Sequence, residues 1–309
     1  MRRRLPPVVP HRLRGRRPVV TAARSSRRCF LGIAAGVGAV VGGGRLLIGA
    51  PSGPDVMDGT DRRVVAYGDH PSQVADLVVP AGAGPHPVLV LVHGGFWRAD
   101  FDRTLMDPLA VDAVGRGCAV WNIEYRRVGE PGGGWPTTFA DVGAAVDHLA
   151  TLADEHHLDL ARVVAAGHSA GGHLALWSAT RPGLPDDAPG AGPVVVVAAA
   201  VSQAGVADLR ASEASGLGGG AAAALLGGSP TAVPDRYELA SPIERLPVGV
   251  PTLCVHGEAD PIVPIAQSEA WVAAARAAGD EADLVSFPGG HFEVLDPAHE
   301  SWQAVVAFL

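Results

Sequence analysis

Gly167-His168-Ser169-Ala170-Gly171 lies between an apolar run, Arg162-Val163-Val164-Ala165-Ala166, and a helix-forming run, Gly172 to Ala179. A serine in a G-x-S-x-G pentapeptide at such a junction reads as a nucleophile elbow, a turn sharp enough to lift the hydroxyl above a parallel sheet. In a chain with 40 glycines the string alone is weak, so the strand before it and the helix after it carry the assignment. A turn this tight holds the serine backbone in a strained region and admits only small neighbours, here Gly167, Ala170 and Gly171.

A serine hydroxyl needs a base, an acid to orient the base, and donors for the oxyanion. The apolar run Val88 to Val92 reads as a parallel strand covered on both faces, and it ends in His93-Gly94-Gly95-Phe96-Trp97. Glycines there let backbone N–H groups reach a developing negative charge, and the donors expected are those of Gly95, Phe96 and Ala170. A second strand, Pro251 to Val255, leads into His256-Gly257-Glu258-Ala259-Asp260-Pro261, which puts Asp260 on the loop where a triad acid belongs, with Glu258 as its rival. The last strand, Asp283 to Phe287, leads into Pro288-Gly289-Gly290-His291, so His291 is the expected general base. His93, His256, His168 and His173 are assigned to loop motifs or to the flanks of the elbow. No histidine has metal-ligand spacing such as H-E-x-x-H, so no metal is expected.

The chain order Ser169, Asp260, His291 is that of the α/β-hydrolases. From about Val64 to its end the sequence resembles an α/β-hydrolase of the esterase and lipase type. It is most similar to bacterial carboxylesterases and kynurenine formamidase-like enzymes, whose H-G-G-aromatic-Trp loop looks like His93 to Trp97. The stretch Tyr67 to Leu77 is also similar to the opening strand of that group. The resemblance implies an α/β fold, a mostly parallel central sheet with helices on both faces. It implies a hydrolase cleaving small to medium acyl esters through an acyl-enzyme, with no cofactor. An arylformamidase is the alternative, and a peptidase of the prolyl-oligopeptidase type is a more distant one. Hormone-sensitive-lipase-like esterases carry a third glycine where Phe96 stands, so the acyl pocket here is expected to be narrower and more aromatic than theirs, with Trp97 and Trp135 as candidate walls. Trp121 and Trp177, on a strand and a helix, are assigned to the core.

Charge divides the chain sharply. Residues 1–50 hold 11 arginines and no acid, whereas residues 51–309 hold 13 arginines against 32 acids. There is no lysine, which removes Schiff-base, pyridoxal-phosphate and P-loop chemistry. The acidic body argues against nucleic acid as a partner. In the leader, Ser26-Arg27-Arg28-Cys29-Phe30-Leu31 precedes a weakly apolar, Gly-rich run cut by Arg45 at about 15 residues, short of the roughly 20 a bilayer span needs. This resembles a twin-arginine export signal, with Ile48-Gly49-Ala50 as a possible cleavage site. The alternative is a cytoplasmic protein with an Arg-rich arm. Cys118 and Cys254 fall in apolar strands and are expected to be unpaired.

The body, residues 51–309, is read as one catalytic domain. Further strands are expected at Cys118 to Tyr125 and Val194 to Val201, and helices at 139–156, 170–180, 264–278 and 298–308. Residues 205–248 are long for a plain connection and are expected to form a small cap over the site.

Overall fold

The structure, a computed structural model, describes residues 62–309, so the Arg-rich leader, its paired arginines and the possible cleavage site lie outside the described residues. Eight strands form one sheet: β1 (Arg62–Ala66), β2 (Val74–Val78), β3 (His86–Val92), β4 (Ala119–Ile123), β5 (Leu158–His168), β6 (Ala199–Gln203), β7 (Thr252–Gly257) and β8 (Ala282–Phe287). Their order is β1-β2-β4-β3-β5-β6-β7-β8, with β1, β2 and β4 joined antiparallel and every other pairing parallel. The helices are α1 (Asp107–Gly115), α2 (Thr137–His156), α3 (Ala170–Thr180), α4 (Leu209–Ala214), α5 (Ala221–Leu226), α6 (Pro234–Ala240), α7 (Ala266–Ala278) and α8 (Glu300–Phe308). This is the expected α/β-hydrolase architecture. Among the described residues no helix is long and apolar enough to cross a membrane.

The two faces of the sheet follow from the period-2 geometry of a strand. On β3, Val88, Val90 and Val92 point into one apolar layer while Leu89 and Leu91 point into the other. On β4, Trp121 and Val120 divide in the same way. The first layer is covered by α2, α3 and α7 through Phe139, Leu174 and Trp271, and the second by α1 and α8 through Leu109 and Trp302. All eleven residues of α3 are buried, as befits a helix apolar around its whole circumference. Trp121 and Trp177 lie in the core as expected, with indole N–H groups donated to the carbonyls of Ala145 and Leu239.

Three expected elements differ in extent. The run Val194 to Val201 is strand only from Ala199, because Asp147 Oδ1 accepts the N–H groups of Val194 (2.9 Å) and Val195 (3.0 Å) while its carboxylate also pairs with buried Arg181. The ladder then begins with Ala198 N–H donating to Val163 at 2.7 Å. The stretch Tyr67 to Leu77 is a hairpin turn followed by β2, closed by Tyr67 N–H on the Gln73 carbonyl at 2.9 Å. Strand β5 starts four residues earlier than its apolar run, at Leu158, with an irregularity in its pairing opposite Pro87 and Val88.

The elbow is packed backbone against backbone. A Cβ on Gly171 would collide with the Val92 carbonyl oxygen and lie 2.6 Å from that of His93. Neither carbonyl has room to retreat, since β3 is held on both sides by β4 and β5. Gly171→Ala is therefore expected to cost about 3 kcal/mol of stability by urea or thermal denaturation. The control Gly183→Ala, where an added Cβ meets nothing within 4 Å, is expected to change stability by less than about 0.5 kcal/mol. Equal stability of the two variants would contradict this packing.

Candidate active site

In open parallel sheets, ligands bind beyond the carboxyl ends of the strands, where the chain reverses its direction of progress across the sheet. Here that point lies between β3 and β5, whose ends are in register, Val92 opposite Gly167. The loops that follow them are therefore neighbours. A Cβ on Gly94 would lie 2.8 Å from the His168 carbonyl oxygen and 3.0 Å from Ser169 Cβ, so the His93-Gly94-Gly95 turn rests directly on the elbow.

Ser169 has φ 55° and ψ −117°, a conformation that a non-glycine residue adopts only when its surroundings impose it. Its N–H is held by the Gln203 carbonyl at the end of β6, at 2.8 Å. Phe96 and Trp97 also have positive φ, 54° and 56°, so both loops carry backbone strain where they meet. The N–H groups of Gly95, Phe96 and Ala170 meet no acceptor among the described residues. Free donors at a loop and at the first residue of a helix suit an oxyanion.

The loops after β7 and β8 bring Asp260 and His291 together. His291 Nδ1 lies 2.6 Å from Asp260 Oδ2, with both side chains buried. Glu258 is turned outward and accepts from Ser286 Oγ at 2.9 Å, so Asp260 is the acid of this pair. Burial alone would raise the Asp260 pKa, but hydrogen bonds from His256 and His291, the His291 charge and the Ile262 N–H hold the carboxyl far below its ordinary value. With Nδ1 donating to the acid, the basic nitrogen of His291 is Nε2. Ser169 Oγ makes no hydrogen bond to His291 among the described residues; the expected Ser-His-Asp sequence is closed on the acid side and open on the serine side. Such contacts often tighten only with substrate bound.

Two further histidines form part of this architecture, and the sequence had shown them only as flanks of the elbow. His168 is buried, with Nε2–H donated to the main-chain carbonyl of His291 at 2.9 Å. It thus ties the His291 backbone to the residue before Ser169. Burial and the nearby His291 push its pKa down to about 3. His173, on α3, accepts from Trp97 Nε1 at 3.2 Å and donates Nε2–H to the Ala240 carbonyl at 2.8 Å, and burial pushes its pKa down to about 4. A third bracing group, Glu124, lies 2.8 Å from His93 Nε2 and accepts the Arg103 N–H at 3.0 Å, fixing the start of the His-Gly-Gly turn. The signal available for all three was polar residues within otherwise apolar runs.

Trp97 is not a pocket wall. It is fully buried, and its indole joins the His93 to Trp97 turn to α3 and, through His173, to the end of α6. Trp135 is half-buried against Phe139 and borders a shallow cavity of about 370 Å³ with Val233, Pro234 and Leu239. Residues 205–248 hold α4, α5 and α6 and reach the loops after β3 and β4. Arg98 donates to the Gly218 carbonyl at 2.7 Å, Trp135 N–H donates to Leu225 at 2.7 Å, and Gly218 packs on the Phe96 ring so closely that a Cβ there would overlap it. Among the described residues no group of three or more His, Cys, Asp or Glu is placed to hold a metal ion.

The two depressed histidines have a consequence for stability. In the unfolded chain both rings titrate near 6.5, but in the fold they stay neutral down to about 3 and about 4. As pH falls below 6.5 the unfolded chain takes up protons that the fold refuses, so stability present above that pH is lost, at up to about 1.4 kcal/mol per pH unit for each ring. Thermal denaturation is expected to show Tm falling between pH 6.5 and 5, with a shallower slope in His173→Gln. A flat Tm over that range, or an unchanged slope in the variant, would contradict buried neutral rings.

Comparison with known proteins agrees with the fold. The esterase LipC of Mycobacterium tuberculosis is 29% identical over 252 residues, 77% of this chain and 61% of that protein. The esterase LipQ of the same organism is 32% identical over 197 residues, 62% of this chain and 46% of that protein. The chain thus spans roughly half to three-fifths of the length of these relatives. Among solved structures, a bifunctional GH43-CE protein of Bacteroides eggerthii superposes with a TM-score of 0.69 at 26% identity, over 80% of this chain and 37% of that one. The profile of the family described as BD-FAE matches residues 75–274, well over half of the sequence, and this α/β-hydrolase chain belongs to that family.

Proposed function

We propose that this chain is a serine esterase that cleaves carboxylic esters of small to medium acyl size through an acyl-enzyme. The observation that carries the reading is the strained Ser169 at the end of β5, next to free N–H groups of Gly95, Phe96 and Ala170 and beside a His291–Asp260 pair at 2.6 Å. The esterase names of the two mycobacterial relatives support it.

In this mechanism His291 Nε2 takes the Ser169 proton as Oγ attacks the acyl carbonyl carbon, and the N–H groups of Gly95, Phe96 and Ala170 receive the oxyanion. Asp260 fixes the imidazole tautomer and stabilises the imidazolium. The tetrahedral adduct collapses, the C–O bond to the alcohol breaks, and His291 returns the proton to the leaving oxygen. Water then repeats the sequence: His291 takes its proton, the hydroxide attacks the acyl carbon, and the acid departs as Ser169 regains its hydrogen.

The acyl group meets Phe96, whose ring is pinned by Gly218 and by the Arg98 guanidinium 5.7 Å from its centroid. A pinned ring at the oxyanion loop keeps the acyl space short. The leader reading, export through the twin-arginine route, belongs to the same proposal and concerns residues 1–50 alone.

Assay of the purified protein on p-nitrophenyl esters from acetyl to decanoyl, with an N-formyl aryl amine alongside, tests the reading. Acetyl to butyryl esters are expected to react fastest, and Ser169→Ala to lower kcat roughly 10³-fold or more with the fold intact. Phe96→Gly is expected to shift the optimum to longer acyl chains, since it removes the ring, keeps the backbone N–H and suits the positive φ. Preference for the formyl amide would move the assignment to an arylformamidase. Undiminished turnover by Ser169→Ala would refute the serine mechanism.

A further inference from the structure

The acid of the proposed triad holds a second imidazole that the mechanism above does not use. Asp260 Oδ1 accepts the N–H groups of Ile262 (2.8 Å) and Val263 (2.9 Å). Its Oδ2 lies 2.6 Å from His291 Nδ1 and also 3.3 Å from His256 Nε2. His256, near the end of β7, is fully buried, and its Nε2 is 2.9 Å from the Val263 carbonyl oxygen. A carbonyl accepts only, so the His256 proton is on Nε2 and is donated to Val263, with Asp260 Oδ2 as its longer second neighbour at 3.3 Å. The other nitrogen, Nδ1, is 2.7 Å from Ser268 Oγ on α7 and accepts that hydroxyl's hydrogen bond. Both nitrogens are thereby committed to fixed partners.

We propose that His256 is a positioning residue that shares Asp260 Oδ2 with His291 and so moderates how strongly the acid stabilises the His291 imidazolium. The inference rests on the esterase reading and extends it to the acid's far side. A carboxylate oxygen that faces two N–H groups spreads its charge over both, so its bond to the nearer one is weaker than it would be alone. His256 also links the acid to the Val263 carbonyl, so the carboxylate cannot rotate away from the base. The groups facing His256 are few. They are Asp260 on its own loop, His291 after β8, His168 at the end of β5, Ser268 on α7, and Cys254 on β7, whose thiol is pushed up to about 12 by burial and is therefore uncharged. Glu258, on the same loop, faces Ser286. Asp260 is thus the charge beside His256, and His291 shares that charge from the other side.

Replacing His256 by Leu removes the competing donor and concentrates the Asp260 charge on His291. The base's pKa then rises. The acid limb of kcat/KM for a p-nitrophenyl ester is expected to move up by about 0.5 to 1 pH unit, so activity is lost earlier as pH falls. A kcat about tenfold lower is expected from the freer carboxylate. His256→Gln, whose amide can still donate to Val263 and Asp260, is expected to return the midpoint towards the wild-type value. A purely structural His256 would lower Tm in both variants and leave the acid limb where it is, and that result overturns the proposal. Should His256→Leu fail to fold, the wild-type protein carries the test. In protein labelled with ¹⁵N-histidine, the His256 Nε2–H resonance is expected to shift as His291 titrates, and a resonance indifferent to that titration overturns the shared oxygen. Wild-type protein that hydrolyses no ester defeats the esterase reading, whereas the resonance test needs no turnover.

Discussion

The close approach of α3 to the end of β3 governs the carboxyl edge of this molecule. Gly171 lies against the carbonyls of Val92 and His93 with no space for a methyl group, and Gly94 lies against His168 and Ser169 from the other side. Helix and strand can meet this closely only if the chain turns from β5 into α3 within one residue, and Ser169 takes the strain at φ 55°. The same contact seats the turn that carries the free N–H groups of Gly95 and Phe96 on the elbow that carries that of Ala170. One packing constraint thus sets both the strained backbone of Ser169 and the place of the loop that carries the donors.

Around that contact the interior is polar where an ordinary core would be apolar. Asp260 is stabilised as an anion by two backbone N–H groups and two imidazoles. His168 anchors the His291 backbone, and His173 spans from Trp97 to Ala240, joining the His93 to Trp97 turn, α3 and α6. Buried polar groups are tolerated only when their partners are in place. Among the buried atoms without a partner in the described residues, Gln203 Oε1 is one and His168 Nδ1, which sits where a Gly94 side chain would be, is another. Burial and His291 keep that ring neutral, so the unmet atom is a lone pair and carries no charge.

Much of this was legible in the sequence because the central strands β3 and β7 are buried on both faces and β5 is buried towards its end, so they read as apolar runs, while the edge strand β8 is marked by its flanking glycines. The positions of β3, β5, β7 and β8, and with them the loops bearing the His-Gly-Gly turn, Ser169, Asp260 and His291, followed from those runs and their glycine stops. What escaped were features decided by side chains from other elements. Val194 to Val197 have strand composition, yet Asp147 of α2 captures their N–H groups. Trp97 looked like a pocket wall because it follows the oxyanion glycines. The turn at φ 56° sends its indole inward to His173, a contact across 76 residues that no local pattern encodes. His256 carried a signal, a histidine at the end of an apolar strand and four residues before the acid, but its role depends on Ser268 of the following helix.

The most direct test of the account is to trap the intermediate it requires. Mixing the protein with a p-nitrophenyl ester and quenching in acid within the first turnover is expected to leave an acyl group on the peptide containing Ser169, with an equivalent burst of p-nitrophenol where deacylation is slow. Peptide mass spectrometry reads the position. An acyl adduct on Ser169 establishes the elbow as the nucleophile. An adduct on another residue, or ester hydrolysis that leaves Ser169 unmodified under conditions where a burst is seen, would contradict the account.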